Sequence, residues 1–153
     1  MIQAINTTNL KHLYEIDDHL WLEKTIEILK SKRFQELDLE NLIEELESLG
    51  RRDKSKVASL TEQIIRHLLL LQYWHQEYEF NANHWRAEII SFRSQLKRDL
   101  TTNLRHYLAD TLNLIYNDAL NFVQQKTNNC VSFPNTCPYT LEQILDPDYL
   151  ETR

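Results

Sequence analysis

Apolar residues recur along most of the chain at the spacing of a helix rather than in the alternation of a strand. From Asp17 to about Lys32, Leu20, Trp21, Ile26, Ile28 and Leu29 supply an apolar side. Asp17 and Asp18 offer an N-cap, and Lys30, Lys32 and Arg33 place positive charge at the C-terminal end. A second helix is predicted after Asp38 and up to Leu49, with Leu39, Leu42, Ile43, Leu46 and Leu49 on one face. Gly50 follows at once. Its simplest role is a left-handed residue ending that helix, and a kink in a continuing helix is the competing one. A third helix, from about Asp53 to Tyr78, carries the stripe Val57, Leu60, Ile64, Leu68 and Leu71, widened by Ile65 and Leu69. An apolar arc that broad predicts neighbours on more than one side.

The polar stretch Glu79 to Asn83 then interrupts the pattern, with Asn81 or Asn83 as a cap. The fourth helix, about His84 to Leu100, turns Trp85, Ile89, Phe92 and Leu96 inward. After a joint at Thr101 to Asn103, the fifth, about Leu104 to Lys126, uses Leu104, Leu108, Thr111, Ile115 and Phe122, flanked by Leu112, Tyr116 and Val123. Residues 127–138 read as extended, and a short last helix opens near Thr140 and must stop before Pro147. Residues 1–13 read as a polar, frayed start. Short connections favour antiparallel neighbours. The expected fold is therefore an all-α antiparallel bundle of four to five main helices in one domain, 1–153. Its C-terminal extension, 127–153, carries Phe133, Tyr139, Leu141 and Ile144, too apolar for a free tail, and packs on the bundle.

Composition narrows this further. One glycine and three prolines in 153 residues suit long helices, and a 42% hydrophobic fraction suits a folded core. A single glycine also excludes phosphate-binding loops and dinucleotide fingerprints, which need several. The net charge of -6 argues against non-specific nucleic-acid binding, which relies on an excess of Lys and Arg. No apolar run reaches the roughly 20 residues of a spanning helix, so no membrane partner is expected. The first ten residues lack the layout of a secretory signal. Cys130 and Cys137 make no disulfide framework, which points to a reducing cytoplasm.

Several groups could carry chemistry. Glu40, Glu44 and Glu47 lie on one helix edge, where a polar site with His67 and Arg93 is conceivable, His75 standing as a further candidate. The Glu-x-x-His pairs of helical metal sites are missing, so no metal and no cofactor is expected. An edge of ion pairs with Arg51, Arg52, Arg66 or Arg93 explains the carboxylates without a function. The aromatic group Tyr73, Trp74, Tyr78, Phe80 and Trp85 surrounds the joint between the third and fourth helices. With its neighbours it makes Trp74, His84, Trp85 and Arg86 the best candidate binding surface, although the same rings could simply cap the core. Arg51, Arg52, Lys54 and Lys56 form one basic group and Arg93, Lys97, Arg98 and Arg105 another; solvated helix faces account for both. Cys137 reads as a small packed hydrophobe rather than a zinc ligand. No catalytic residues stand out.

Four stretches together resemble one bacterial family, DUF29, which is abundant in cyanobacteria. DLENLIEELESLG (38–50) resembles its signature, LLLLQYW (68–74) its LLLHLLKWQY-type segment, HWRA (84–87) its SWR block, and FPNTCPYTLEQILDP (133–147) its FPETCPYTLEQLLDP-type motif. One departure is Thr102-Asn103-Leu104, where related sequences carry Pro-Ser-Leu. The resemblance implies a compact helical bundle and no particular activity. The expected function is accordingly a non-enzymatic interaction or regulatory module, with a protein as partner, acting as monomer or homodimer. The alternatives are a ligand or metal binder, or an enzyme, built on the polar site, and a nucleic-acid-associated component of a small genetic module.

Overall fold

A computed structural model describes residues 7–150. Among them run six α-helices: α1 (Thr7–Ile16), α2 (Asp18–Lys30), α3 (Leu39–Tyr73), α4 (Tyr78–Asp99), α5 (Thr102–Lys126) and α6 (Leu141–Leu145). Single 3-10 turns lie at Phe34–Glu36 and His75–Glu77, and the described residues contain no strand. The chain is all-α as expected, with α3, α4 and α5 packed as a bundle and a short helix near the C-terminus. No described helix is long and apolar enough to cross a membrane. The chain divides into two compact units between Arg51 and Arg52.

In the first unit, residues 7–13 belong to α1 instead of a frayed start; residues 1–6 lie outside the described residues. Asp17 caps α2 by accepting from the Leu20 N–H at 3.0 Å. The other end of α2 closes in a Schellman arrangement. Lys32 N–H reaches the Leu29 carbonyl and Arg33 N–H the Ile28 carbonyl, both at 3.1 Å, with Lys32 at φ 58°. Leu10, Trp21, Ile28 and Leu37 form a small core. Asp38 is buried with them, and its carboxylate accepts from the Trp21 indole N–H at 3.2 Å and the Asn41 amide at 2.6 Å. This fixes which side of α3 faces inward. Of the apolar face the spacing predicts, Leu42 packs on the core, while Leu39, Ile43, Leu46 and Leu49 stay exposed.

Gly50 ends nothing. It lies inside α3, outside the left-handed region, so the second and third expected helices are one 35-residue helix. A Cβ added there would meet no atom within 4 Å.

In the second unit α3 supplies Val57, Leu60, Ile64, Ile65, Leu68, Leu69, Leu70 and Leu71 to the core, the broad arc expected of it. It stops at Tyr73, so His75 leaves the helix and is exposed. α4 then starts at Tyr78, ahead of the expected break. Asn81 caps nothing there and donates from its side chain to Glu77 instead. Trp85, Ile89 and Leu96 are buried as expected. Thr101 caps α5 by accepting from Leu104 N–H at 3.2 Å, which starts the helix at Thr102. Thr102 is thus the first helical residue, the position where a proline is tolerated because its N–H has no partner. The Pro-Ser-Leu alternative fits the same joint. Along α5, Leu108 and Ile115 point inward with Tyr116, Ala119 and Val123, whereas Phe122 is displaced outward. Asn128 and Asn129, at φ 53° and 57°, close α5.

The C-terminal extension is bound to this unit. Phe133, Tyr139, Leu141 and Ile144 are buried, at roughly 1.5–3 kcal/mol of transfer free energy each for full burial of side chains this large. Tyr139 donates its hydroxyl to Gln72 at 2.8 Å, and the buried Tyr116 donates to the Pro134 carbonyl. Thr140 and Gln143 form a capping box that starts α6 ahead of Pro147.

Candidate functional site

The second unit holds a cleft of about 600 Å³. α3 lines it with Gln63, Arg66, His67 and Leu70, and Trp74 follows at the helix end. α4 contributes Asn81, His84, Trp85, Glu88 and Phe92, and α5 contributes Phe122 and Lys126. Steps of three or four residues along α3 (63, 66/67, 70, 74) and along α4 (81, 84/85, 88, 92) place these side chains on one face of each helix. The stacked pair Trp74 and Trp85, 5.8 Å between centroids with planes 19° apart, forms its aromatic end. Trp85 is buried; Trp74 is half-exposed.

His67 is held by its own helix. Its Nδ1 lies 2.6 Å from the Gln63 carbonyl, which can only accept, so Nδ1 carries the proton and Nε2 of the neutral ring is the acceptor. Burial pushes its pKa below the usual histidine value, against the pull of the Gln63 bond and of Glu88. The ring also lies 5.6 Å from that of Phe92. Arg66 spans the cleft edge, its guanidinium 3.7 Å from the centre of the Phe122 ring and bonded to Glu62 at 3.0 Å. Its Nε is buried without a hydrogen-bond partner among the described residues. Lys126 lies 6.0 Å from the same Phe122 ring. The cleft thus combines stacking faces, two permanent cations and one carboxylate, Glu88.

Of the binding surface expected from sequence, Trp74, His84 and Trp85 line this cleft. Arg86 does not; its guanidinium donates to the Tyr78 hydroxyl. The polar-site residues have separate surroundings. Glu40 pairs with Lys11, Glu44 lies 3.5 Å from Arg51, and Glu47 is an exposed residue of α3. His67 belongs to the cleft. Arg93, buried, donates from Nε to the Ile144 carbonyl at 2.8 Å and from Nη2 to the Gln143 carbonyl at 3.0 Å, so it holds the C-terminal end of α6. Among the described residues no group of three or more His, Cys, Asp or Glu could hold a metal ion. Cys130 is exposed. Cys137 is half-buried against the core, and burial raises its thiol pKa.

Sequence reasoning missed Gln63, Arg66, Glu88, Phe122 and Lys126 as cleft residues. The matching strips on α3 and α4 were the available signal. Choosing between these strips and the wholly apolar stripes beside them required knowing which helices face each other.

Residues 13–150 match the model of a protein family described as Domain of unknown function DUF29. No curated protein and no solved structure matches the chain.

Proposed function

We propose, for a chain that belongs to the DUF29 family and so inherits no assigned activity, that it is a non-enzymatic binding module whose seat is the cleft of the second unit. Its ligand is a planar aromatic group carrying a negative charge. The observation that carries this is the joining, in one cleft, of the Trp74–Trp85 stack with Arg66 and Lys126. An aromatic face stacks on Trp74, and the anion meets the Arg66 guanidinium and the Lys126 ammonium. A volume of about 600 Å³ lies within the range of small-ligand sites. His67 adds a neutral acceptor, Nε2, because its Nδ1–H is spent on the Gln63 carbonyl. The same ligand chemistry can be free in solution or borne on a partner protein, and a protein partner is the reading we favour.

The test is a titration followed by tryptophan fluorescence with 2-naphthoate, with neutral 2-naphthol, and with an acidic tyrosine-containing peptide. Saturable binding of naphthoate, weakened about tenfold or more by Trp74→Ala and by Arg66→Gln, is the expected result. Tighter binding of the peptide than of naphthoate assigns the ring to a protein partner. Absence of saturation with both anionic probes, or indifference to both substitutions, refutes the proposal.

A further inference from the structure

A second cavity of the same unit, about 560 Å³, lies where α4, the start of α5 and the segment after α6 meet. Its chemistry differs from that of the aromatic cleft. Three of its lining residues, Arg93, Lys97 and Arg105, are cations, and no carboxylate lines it. The remaining wall is largely apolar, including Ile90, Leu100 and Leu145.

Arg93 is the unusual member. It is 6% exposed, and a guanidinium does not shed its proton, so a permanent charge is held inside the fold. Two of its nitrogens hold α6, yet Nη1 is buried with no hydrogen-bond partner among the described residues. A buried charged donor left unpaired costs more than an ordinary lost hydrogen bond. Burial disfavours its charge, and Asp146 and Tyr149 act electrostatically in the opposite sense. Lys97 follows one turn later on α4, and Arg105 is only loosely engaged, 3.7 Å from the exposed Glu142. Structural capping of α6 explains Nε and Nη2. It leaves Nη1 unexplained, on a residue that lines a cavity together with two more cations and an apolar wall.

We propose that this cavity binds an amphipathic carboxylate, with its head at Arg93, Lys97 and Arg105 and a linear apolar body against Ile90, Leu100 and Leu145. The charge selects the head, the wall selects the chain, and neither feature needs the aromatic cleft.

The test uses the full chain and isothermal titration calorimetry with decanoate, decanol and acetate. Decanoate saturates the protein, and decanol and acetate each bind about tenfold more weakly or worse. Because replacing Arg93 would also release α6, the variants are Lys97→Gln, which removes head-group charge, and Ile90→Asp, which spoils the wall. Each weakens decanoate about tenfold while the circular dichroism spectrum and the 2-naphthoate titration stay unchanged. The proposal is overturned if decanol binds as tightly as decanoate, if both variants bind decanoate like the wild type, or if nothing saturates up to about 1 mM.

Discussion

The chain places its one glycine where a helix has no use for it, and a lysine where a glycine would serve. Gly50 is inside α3 with ordinary helical backbone, and an added Cβ meets nothing within 4 Å. Gly50→Ala therefore changes neither packing nor polar contacts, and only helix propensity remains. Alanine is better than glycine in a helix interior by about 0.8–1 kcal/mol. That corresponds to roughly a fivefold gain in the folding equilibrium constant. For a chain of this length the midpoint of thermal unfolding should rise by about 2–4 °C. Lys32 is the reciprocal case. At φ 58° it occupies the left-handed residue of the α2 C-terminal motif, where a side chain costs about 1–2 kcal/mol. Glycine would relieve that strain but enlarge the unfolded ensemble by about 0.4–1 kcal/mol, so Lys32→Gly should stabilise by a smaller margin, on the order of 0.5–1 kcal/mol. Thermal and urea unfolding followed at 222 nm measures both. A destabilised Gly50→Ala protein would refute the reasoning, because it would mean that residue 50 takes a positive φ and that α3 breaks there.

Two further substitutions test the buried polar contacts. Asp38→Ala strips the acceptor from the buried Trp21 indole N–H and from the Asn41 amide, at a cost of about 1–3 kcal/mol; an unchanged urea midpoint would show that Asp38 does not organise the first unit. Tyr116→Phe leaves the Pro134 carbonyl without its donor, again at about 1–3 kcal/mol near neutral pH. Burial pushes the Tyr116 phenol from its ordinary 10.0 up to about 12, so the folded chain keeps that proton longer than the unfolded chain. The stability tied to it is whole below pH 10 and is lost as pH rises from there through 12. The gap between wild type and Tyr116→Phe should narrow over that window, and a gap that widens would contradict the assignment.

Much of the fold is legible in local pattern because helices announce themselves by period. The inward residues of α4 and the broad arc of α3 follow from spacing alone. Thr140 and Pro147 bracket α6 in the same way. The failures have distinct physical causes. Of the two roles open to Gly50, ending a helix was the simpler because glycine usually supplies positive φ, yet φ is set by the whole segment, and Leu39–Tyr73 carries enough helix formers to continue through one glycine. The outward turn of Leu39, Ile43 and Leu46 cannot be read from periodicity, which defines an apolar face without saying whether anything covers it. Asp38 decides that orientation by burying its carboxylate against Trp21, a pairing across 17 residues that no local signal reveals. The candidate cleft was half visible. Trp74 and Trp85 stand out as aromatics, whereas Arg66 reads as an ion-pair partner and Lys126 as a helix end until α3 and α5 are brought together.

The C-terminal block 133–147 carries the most specific part of the family resemblance, yet its residues are taken up by structural work. Phe133, Tyr139, Leu141 and Ile144 fill the core, Pro134 receives the Tyr116 hydroxyl, Cys137 packs against the core, and Gln143 and Ile144 offer their carbonyls to Arg93. A distinctive sequence in a loop can thus reflect demanding packing and not chemistry. The functional groups are better sought among side chains whose hydrogen-bonding capacity the fold has not used. Two buried guanidinium nitrogens meet that description, Nε of Arg66 and Nη1 of Arg93, and each belongs to a residue lining a cavity large enough for a ligand. That coincidence supports both proposed sites. Among the described residues these are the buried side-chain nitrogens that the fold leaves without a partner, and each sits on a cation that lines a cavity, which makes the two cavities the places to test for an anion.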